Sequence, residues 1–271
     1  MTDRTRRRGG GENLGLQGRN ETGPVVRRAV QVLSAFTPQR PALTLSQLSR
    51  RTGIPLTTTH RLVGELVECG LLERDQDGTF HVGLRLWEIG SLAPRGLALR
   101  EIALPFMEDL FAVIPENVQL VVRDGLEAVW VERLAGRGSV PVITRVGGRF
   151  PLHATGAGRV LLAHAPNDVQ EAVLTAPLAR YTPLTITSAD EMRRLLGDVR
   201  AHGIAINDRQ VSMETLSVAA PVRDGAEQVI AAVSVVVKHG SALPSALVPA
   251  VQATARGISR ALRASAAVSG T

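Results

Sequence analysis

The segment Thr44-Leu-Ser-Gln-Leu-Ser-Arg-Arg-Thr-Gly-Ile-Pro-Leu-Thr-Thr-Thr-His-Arg-Leu-Val-Gly-Glu-Leu66 reads as a short helix, a Gly-Ile-Pro turn and a second helix. Thr44 can cap the first helix while Gln47 reaches back to it, the reciprocal pattern that satisfies two orphan amides. Gly53 can take the left-handed conformation that ends this helix, and Pro55 suits the start of the next. At helical spacing Thr59, Leu62, Val63 and Leu66 fall on one face, which predicts their burial. Thr57, His60, Arg61 and Gly64 then face the other way. A helix pair whose second member presents donors outward has the geometry that reads a DNA major groove. The same pattern also occurs in ordinary packed helix pairs, where Arg61 would only be solvated. The flanking sequence decides between the two.

Downstream, Asp75-Gln-Asp-Gly78 signals a tight turn, followed by a short alternating strand at Thr79-Phe80-His81-Val82. This predicts a β-hairpin wing directly behind the candidate recognition helix. Upstream, Val26, Ala29, Val30, Leu33 and Phe36 repeat at the spacing of an amphipathic helix. Three helices and a wing over residues 24–83 make a winged helix–turn–helix domain. Thr44, Thr57, Thr58, His60 and Arg61 are its expected DNA contacts, Arg61 as a fork for a guanine edge or a phosphate.

A chain of 271 residues has room for more than this domain. Hydrophobic residues make up 44% but aromatics only 3%, so the core must be aliphatic. No apolar run approaches the ~20 residues of a membrane span, and the basic N-terminus lacks the apolar stretch of a signal peptide. The single cysteine, Cys69, excludes an internal disulfide and a cysteine-rich zinc site. A cytoplasmic protein is expected. The net charge of +6 suits a polyanionic partner. Residues 1–23 carry Arg4, Arg6, Arg7, Arg8 and Arg19 with six glycines, which predicts a disordered basic tail. Such a tail either adds non-specific phosphate affinity or has no role.

Residues 84–100 read as a linker helix with Leu84, Trp87 and Leu92 on one side, broken at Pro94-Arg-Gly96. Helical spacing resumes with Ile102, Phe106, Leu110 and Ile114. A leucine–tryptophan stripe between domains pairs with a copy of itself or packs within its own chain, and Leu84, Trp87 and Ile102 are expected to be covered. Residues 101–265 read as an α+β domain, with 266–271 a short tail. Strands are predicted at Asn117–Asp124, Glu127–Leu134, Val140–Arg145, Gly203–Asp208, Ser217–Val222 and Val229–Lys238. Helices are predicted at Gly156–Ala165, at Val169–Thr175 and from Ser188, where Glu191 completes a capping box. A last helix carries Leu247, Val251, Ala255, Ile258 and Leu262 on one face. An antiparallel sheet flanked by helices suggests a sensor domain.

Several separated segments, in order, resemble the IclR family of bacterial transcription regulators. Pro55-Leu-Thr-Thr-Thr-His-Arg-Leu62 is similar to the family's recognition helix, and Phe80-His-Val-Gly-Leu-Arg-Leu86 to its wing and the start of its connector. Pro151-Leu-His-Ala-Thr-Gly-Ala-Gly-Arg-Val-Leu-Leu-Ala163 is similar to its effector-domain signature. Tyr181-Thr-Pro-Leu-Thr-Ile186, Val199-Arg-Ala-His-Gly203 and Ser217-Val-Ala-Ala-Pro-Val222 complete the set. The resemblance covers residues 24–264. It implies a winged helix joined to a GAF-like effector domain, acting as a homodimer or dimer of dimers on a double-stranded DNA operator. It also implies control by a small organic acid. The chain departs from the family pattern at Leu56, Arg159, Asn207, Arg209-Gln210 and Ser217, where lysine, lysine, aspartate, an acidic pair and cysteine are common. These changes predict a pocket region more positive than usual.

Thr155-Gly-Ala-Gly-Arg159 opens a helix whose small residues let backbone amides approach an anion at its positive end. Together with the resemblance, this places a carboxylate effector at Thr155, Gly156 and Ala157, with Asn207 and Ser217 across from it. His153 is either a ligand contact or a structural histidine bonded to a carbonyl. Six histidines and one cysteine show no paired metal spacing, and no nucleophile elbow or nucleotide cradle is present. No catalytic residue, metal site or cofactor is therefore expected. An enzyme acting on a small acid and an effector-independent architectural DNA binder are the rival classes.

Overall fold

The computed structural model describes residues 24–93 and 96–269, with side chains to 265. The expected tail at residues 1–23 and the break at Pro94-Arg95 lie outside the described residues. The chain divides into two compact units, with the boundary between Ser91 and Leu92.

In the first unit, α1 (Val25–Leu33), α2 (Leu45–Thr52) and α3 (Leu56–Glu68) pack around Val32, Leu48, Ile54, Leu62 and Leu66. Each of these side chains contributes about 1.5–3 kcal/mol by leaving water. Thr44 caps α2 in a complete box: Gln47 N–H donates to Thr44 Oγ1 at 3.3 Å, and Thr44 N–H donates to Gln47 Oε1 at 2.8 Å. Gly53, with φ at 69°, closes the helix in the left-handed conformation. Buried Thr59 returns its hydroxyl to the carbonyls of Ile54 and Pro55, both at 3.1 Å, which fixes the turn into α3.

The expected wing is present as β2 (Leu72–Arg74) and β3 (Phe80–Val82). Its turn is held by Asp77, which accepts from the Thr79 backbone and hydroxyl at 2.9 and 2.7 Å. A strand not foreseen, β1 (Ala42–Leu43), pairs with β3 on its other side, so β3 is central. Gly83 closes the wing against Gly70, and a Cβ on Gly83 would stand 2.2 Å from the Gly70 carbonyl oxygen. The chain leaves through α4 (Leu84–Ser91), which buries none of its residues. The first helix keeps Ala29, Leu33 and Phe36 of its predicted stripe against the core but departs from it at two positions. Val26 and Val30 are exposed while Val32 and Ala35 are buried, because the face that meets α2 and α3 is rotated about one position from the apolar repeat.

The second unit is an antiparallel sheet of six strands in the order β6-β5-β4-β9-β8-β7. They are β4 (Asn117–Asp124), β5 (Glu127–Leu134), β6 (Arg149–Pro151), β7 (Ala205–Asp208), β8 (Thr215–Arg223) and β9 (Val229–Lys238). The pleat sends alternate residues to opposite faces. One face carries Leu120, Val218, Val233 and Val235 against α5 (Leu97–Val113) and α9 (Pro244–Ser269). The other carries Val121, Ala219 and Ala232 beneath α6 (Gly156–Ala163), α7 (Asn167–Thr175) and α8 (Ala189–His202). α9 runs on to Ser269, through most of the stretch expected to be a tail. At α8 the Ser188 hydroxyl accepts from Glu191 N–H at 3.4 Å, which is one half of the expected box.

The strand predicted at Val140–Arg145 is not there. Side chains of the neighbouring sheet take its hydrogen bonds instead. Asn117 Nδ2 donates to the Val140 carbonyl at 2.9 Å, Glu116 accepts from Val140 N–H at 3.1 Å, and Gln119 Nε2 donates to Thr144 Oγ1 at 2.9 Å. Residues 140–146 are thus a loop pinned over the sheet, and β6 provides the sixth strand.

Candidate DNA-reading helix and effector cavity

On α3 the outward face is as expected: Thr57, His60 and Arg61 are exposed and Thr58 is half-buried. Leu56, where the family commonly has lysine, is exposed at the helix start. Arg61 Nη1 lies 2.6 Å from Glu65 Oε1 one turn on, a surface pair open to water on both sides. Such a pair contributes only about 0.3–0.5 kcal/mol, so a DNA phosphate or base edge can displace Glu65. Thr44 is exposed but its oxygen is engaged in the capping box, which leaves only its hydroxyl proton to donate elsewhere.

In the second unit all five expected effector residues line one cavity of about 490 Å³, its mouth included. The sheet explains why they meet. Asn207, Ser217, Val236 and Asn117 are successive partners across β7, β8, β9 and β4, and Ala219, Ser234 and Gln119 form the neighbouring row. Both rows face α6. Small side chains let that helix come close: a Cβ on Gly156 would lie 2.8 Å from Ser217 Oγ, and one on Gly158 would lie 2.4 Å from the Leu152 carbonyl oxygen.

Thr155 caps α6 by accepting from Gly158 N–H at 3.0 Å. The amides of Gly156 and Ala157 have no acceptor among the described residues and stand at the positive end of a fully buried helix. Asn207 is buried, and its Nδ2 donates to the Ala154 carbonyl at 2.6 Å, which turns its Oδ1 away from that carbonyl. The hydroxyls of Ser217 and Ser234 have no protein partner among the described residues. Pro141, Val142 and Ile143 of the pinned loop form one wall and Trp130 another, its Nε1 donating to Gln119 Oε1 at 2.8 Å.

No charged side chain lines this cavity, so the expected positive character is not found there. Arg209 turns back onto Asp208 at 3.2 Å, in a left-handed conformation with φ at 56°. Arg159 is wholly buried but points away from the cavity. Its Nε donates to the His153 carbonyl at 2.8 Å and its Nη2 to Gln210 Oε1 at 2.5 Å. Burial draws its pKa down to about 10, still cationic at neutral pH. It ties α6 to the segment whose next residues, Val211 and Ser212, form the cavity rim. His153 is the structural histidine of the two alternatives, with Nε2 3.0 Å from the Ala179 carbonyl. Gln119, Trp130, Thr144 and Ser234 were missed on the sequence. Strand alternation puts Gln119 and Ser234 on a common side, but only the register makes them neighbours. Among the described residues no cluster of three or more His, Cys, Asp or Glu could hold a metal ion. No described helix is long and apolar enough to cross a membrane.

A winged helix with a donor-bearing second helix, followed by a sheet domain that encloses a small-molecule cavity, defines a ligand-sensing transcription regulator. Residues 25–76 match the IclR helix-turn-helix domain and residues 93–260 the bacterial transcriptional regulator IclR C-terminal domain. The chain belongs to the IclR family and is a helix–turn–helix DNA-binding transcription regulator. It is 34% identical over 221 residues to the HTH-type transcriptional regulator KipR of Bacillus subtilis, covering 81% of this chain and 87% of that one. It is 30% identical over 240 residues to the HTH-type transcriptional repressor AllR of Klebsiella pneumoniae, covering 87% and 88%. Among solved structures, an IclR homolog from Microbacterium hydrocarbonoxydans complexed with 4-hydroxybenzoate is 38% identical. It superposes with a TM-score of 0.83, covering 89% of this chain and 100% of that one.

Proposed function

We propose that this protein is a repressor released or tightened on its operator by a small aromatic monocarboxylate. The observation that carries this reading is the pair of unbonded amides at Gly156 and Ala157, which open on a cavity otherwise neutral. A carboxylate there gains charge-assisted hydrogen bonds of roughly 1.5–3 kcal/mol each. A second carboxylate would find no counter-charge, which argues against the diacids that a positive pocket would have suited. Trp130 and the Pro141–Ile143 wall favour a flat apolar body, while Ser234 and Ser217 offer hydrogen bonds to a ring substituent. The complex of the Microbacterium relative with 4-hydroxybenzoate supports the same class. Thr155, Asn207 and Ser217 complete the effector site. Thr44, Thr57, Thr58, His60 and Arg61 form the DNA surface.

The protein works in the cytoplasm as a homodimer or dimer of dimers, and binds its effector without turnover. In the single chain Leu84 and Trp87 of α4 are 65% and 66% exposed. Ile102, grouped with them on the sequence, is half-buried on α5 of the other unit. The α4 stripe is therefore the surface for a second copy. Light scattering at micromolar concentration should give at least a dimer, and a monomer would remove this role. A thermal-shift screen of benzoates, dicarboxylates and short oxoacids tests the effector class. Stabilisation by benzoates supports it, stabilisation only by diacids overturns it, and no stabilisation would point to an architectural DNA binder. Chemical conversion of a bound acid would establish an enzyme instead.

A further inference from the structure

A second pocket, of about 830 Å³ with its mouth, lies at the opposite end of α6 from the effector cavity. It is framed by His164 after α6, Asn167 at the start of α7, Arg200 of α8, and Arg223, Glu227 and Gln228 around the β8–β9 turn. The effector cavity is neutral; this pocket is polar and positive. Arg200 Nη1 donates to the Ala163 carbonyl at 3.1 Å, and Arg223 Nη1 to the Glu227 carbonyl at 2.8 Å. Both guanidinium groups are thus fixed by backbone oxygens, and neither is bonded to a carboxylate. The Nε–H and Nη2–H groups of each have no acceptor among the described residues. Glu227, the one acidic residue in the lining, gives its carboxylate to Arg263.

Burial holds the His164 pKa below its usual value, against the Val160 hydrogen bond, and the charges of Arg223 and Arg200 push it the same way. His164, Arg200 and Arg223 line the same pocket, and the half-buried ring is neutral at pH 7. The pocket therefore holds two arginine cations, neither of them paired with a carboxylate among the described residues. We propose that it is a second ligand site, taking inorganic phosphate or a small phosphate monoester between Arg200 and Arg223. A dianion compensates both charges, and the free guanidinium edges suit its oxygens bidentately. Asn167 and Gln228 add neutral hydrogen bonds. The site does not depend on the identity of the acid in the effector cavity.

The test is calorimetric titration of the full-length protein with inorganic phosphate, and in parallel with glycerol phosphate, at chloride-matched ionic strength. Wild type should bind at one site per chain, and Arg200→Gln/Arg223→Gln should weaken binding by about tenfold or more. Arg256→Gln/Arg260→Gln, which removes two exposed charges from α9, should leave it unchanged. Tighter binding of phosphate assigns the site to the free anion and tighter binding of glycerol phosphate to an ester; both support the proposal. No binding of either at about 10 mM, or equal weakening by both double variants, overturns it. Should the first double variant fail to fold by circular dichroism, exposed Arg200→Gln alone should weaken binding several-fold, and wild-type affinity in that variant overturns the site.

Discussion

Asn207 shows how one hydrogen bond fixes the meaning of a substitution. Its Nδ2 donates to the Ala154 carbonyl immediately before the α6 cap. Asn207→Asp would set a carboxylate against that carbonyl oxygen and bring a negative charge to the wall of the cavity proposed to take a carboxylate. We expect at least about tenfold weaker effector binding by calorimetry, together with a lower melting temperature of the free protein, since a buried donor is lost. Binding as tight as wild type would remove Asn207 from the site. On the DNA side, among the described residues Arg61 is held by Glu65 alone, so Arg61→Ala should cost the protein little stability. It should cost operator affinity about 1–3 kcal/mol at matched salt, measured by fluorescence anisotropy. An unchanged affinity would mean that α3 does not read DNA through this residue.

Among the elements, α6 carries the heaviest constraint. Gly158 lies under the Leu152 carbonyl, and backbone cannot move aside as a side chain can. Gly158→Ala should destabilise the second unit by about 1–3 kcal/mol in denaturant titrations, whereas Gly197→Ala, at an open position inside α8, should stabilise it by about 0.5–1 kcal/mol. The elements most legible in the sequence were those with local signals. The Thr44–Gln47 box, Gly53, the Asp75–Gly78 turn and the alternation of β4, β5 and β9 each announce themselves within a few residues. The face of α1 did so only in part: Ala29, Leu33 and Phe36 pack inward, but Val32 and Ala35 are buried in place of Val26 and Val30 by how α2 and α3 sit on the helix. Val140–Arg145 looked like a strand because it alternates, yet Asn117 and Gln119, far back in the chain, take its hydrogen bonds. The helix start that opens on the cavity could be read from Thr155-Gly-Ala-Gly158. Its floor could not, since Gln119 and Ser234 become neighbours only through the register of β4 and β9.

For the molecule as a whole, His153 and His164 make stability depend on pH. Burial is the leading cause in both of a pKa below the ordinary 6.5. The unfolded chain therefore binds protons more readily than the folded one. The full contribution is present above about pH 6.5 and is lost as pH falls toward the lowered folded values. Thermal melts from pH 7.5 to 5 should show a falling midpoint, with a shallower slope in His164→Gln; a flat profile would mean that neither ring is buried neutral. A last consequence follows from the contact of Gly83 with Gly70. Wing, recognition helix and the departing α4 turn as one piece, because no side chain larger than hydrogen fits where they join. In the proposed homodimer a pair of such arms would act as a calliper and measure the DNA it grips. An operator with about 5 base pairs inserted between its halves would rotate one half half-way round the duplex, and the calliper has no slack at this joint with which to follow.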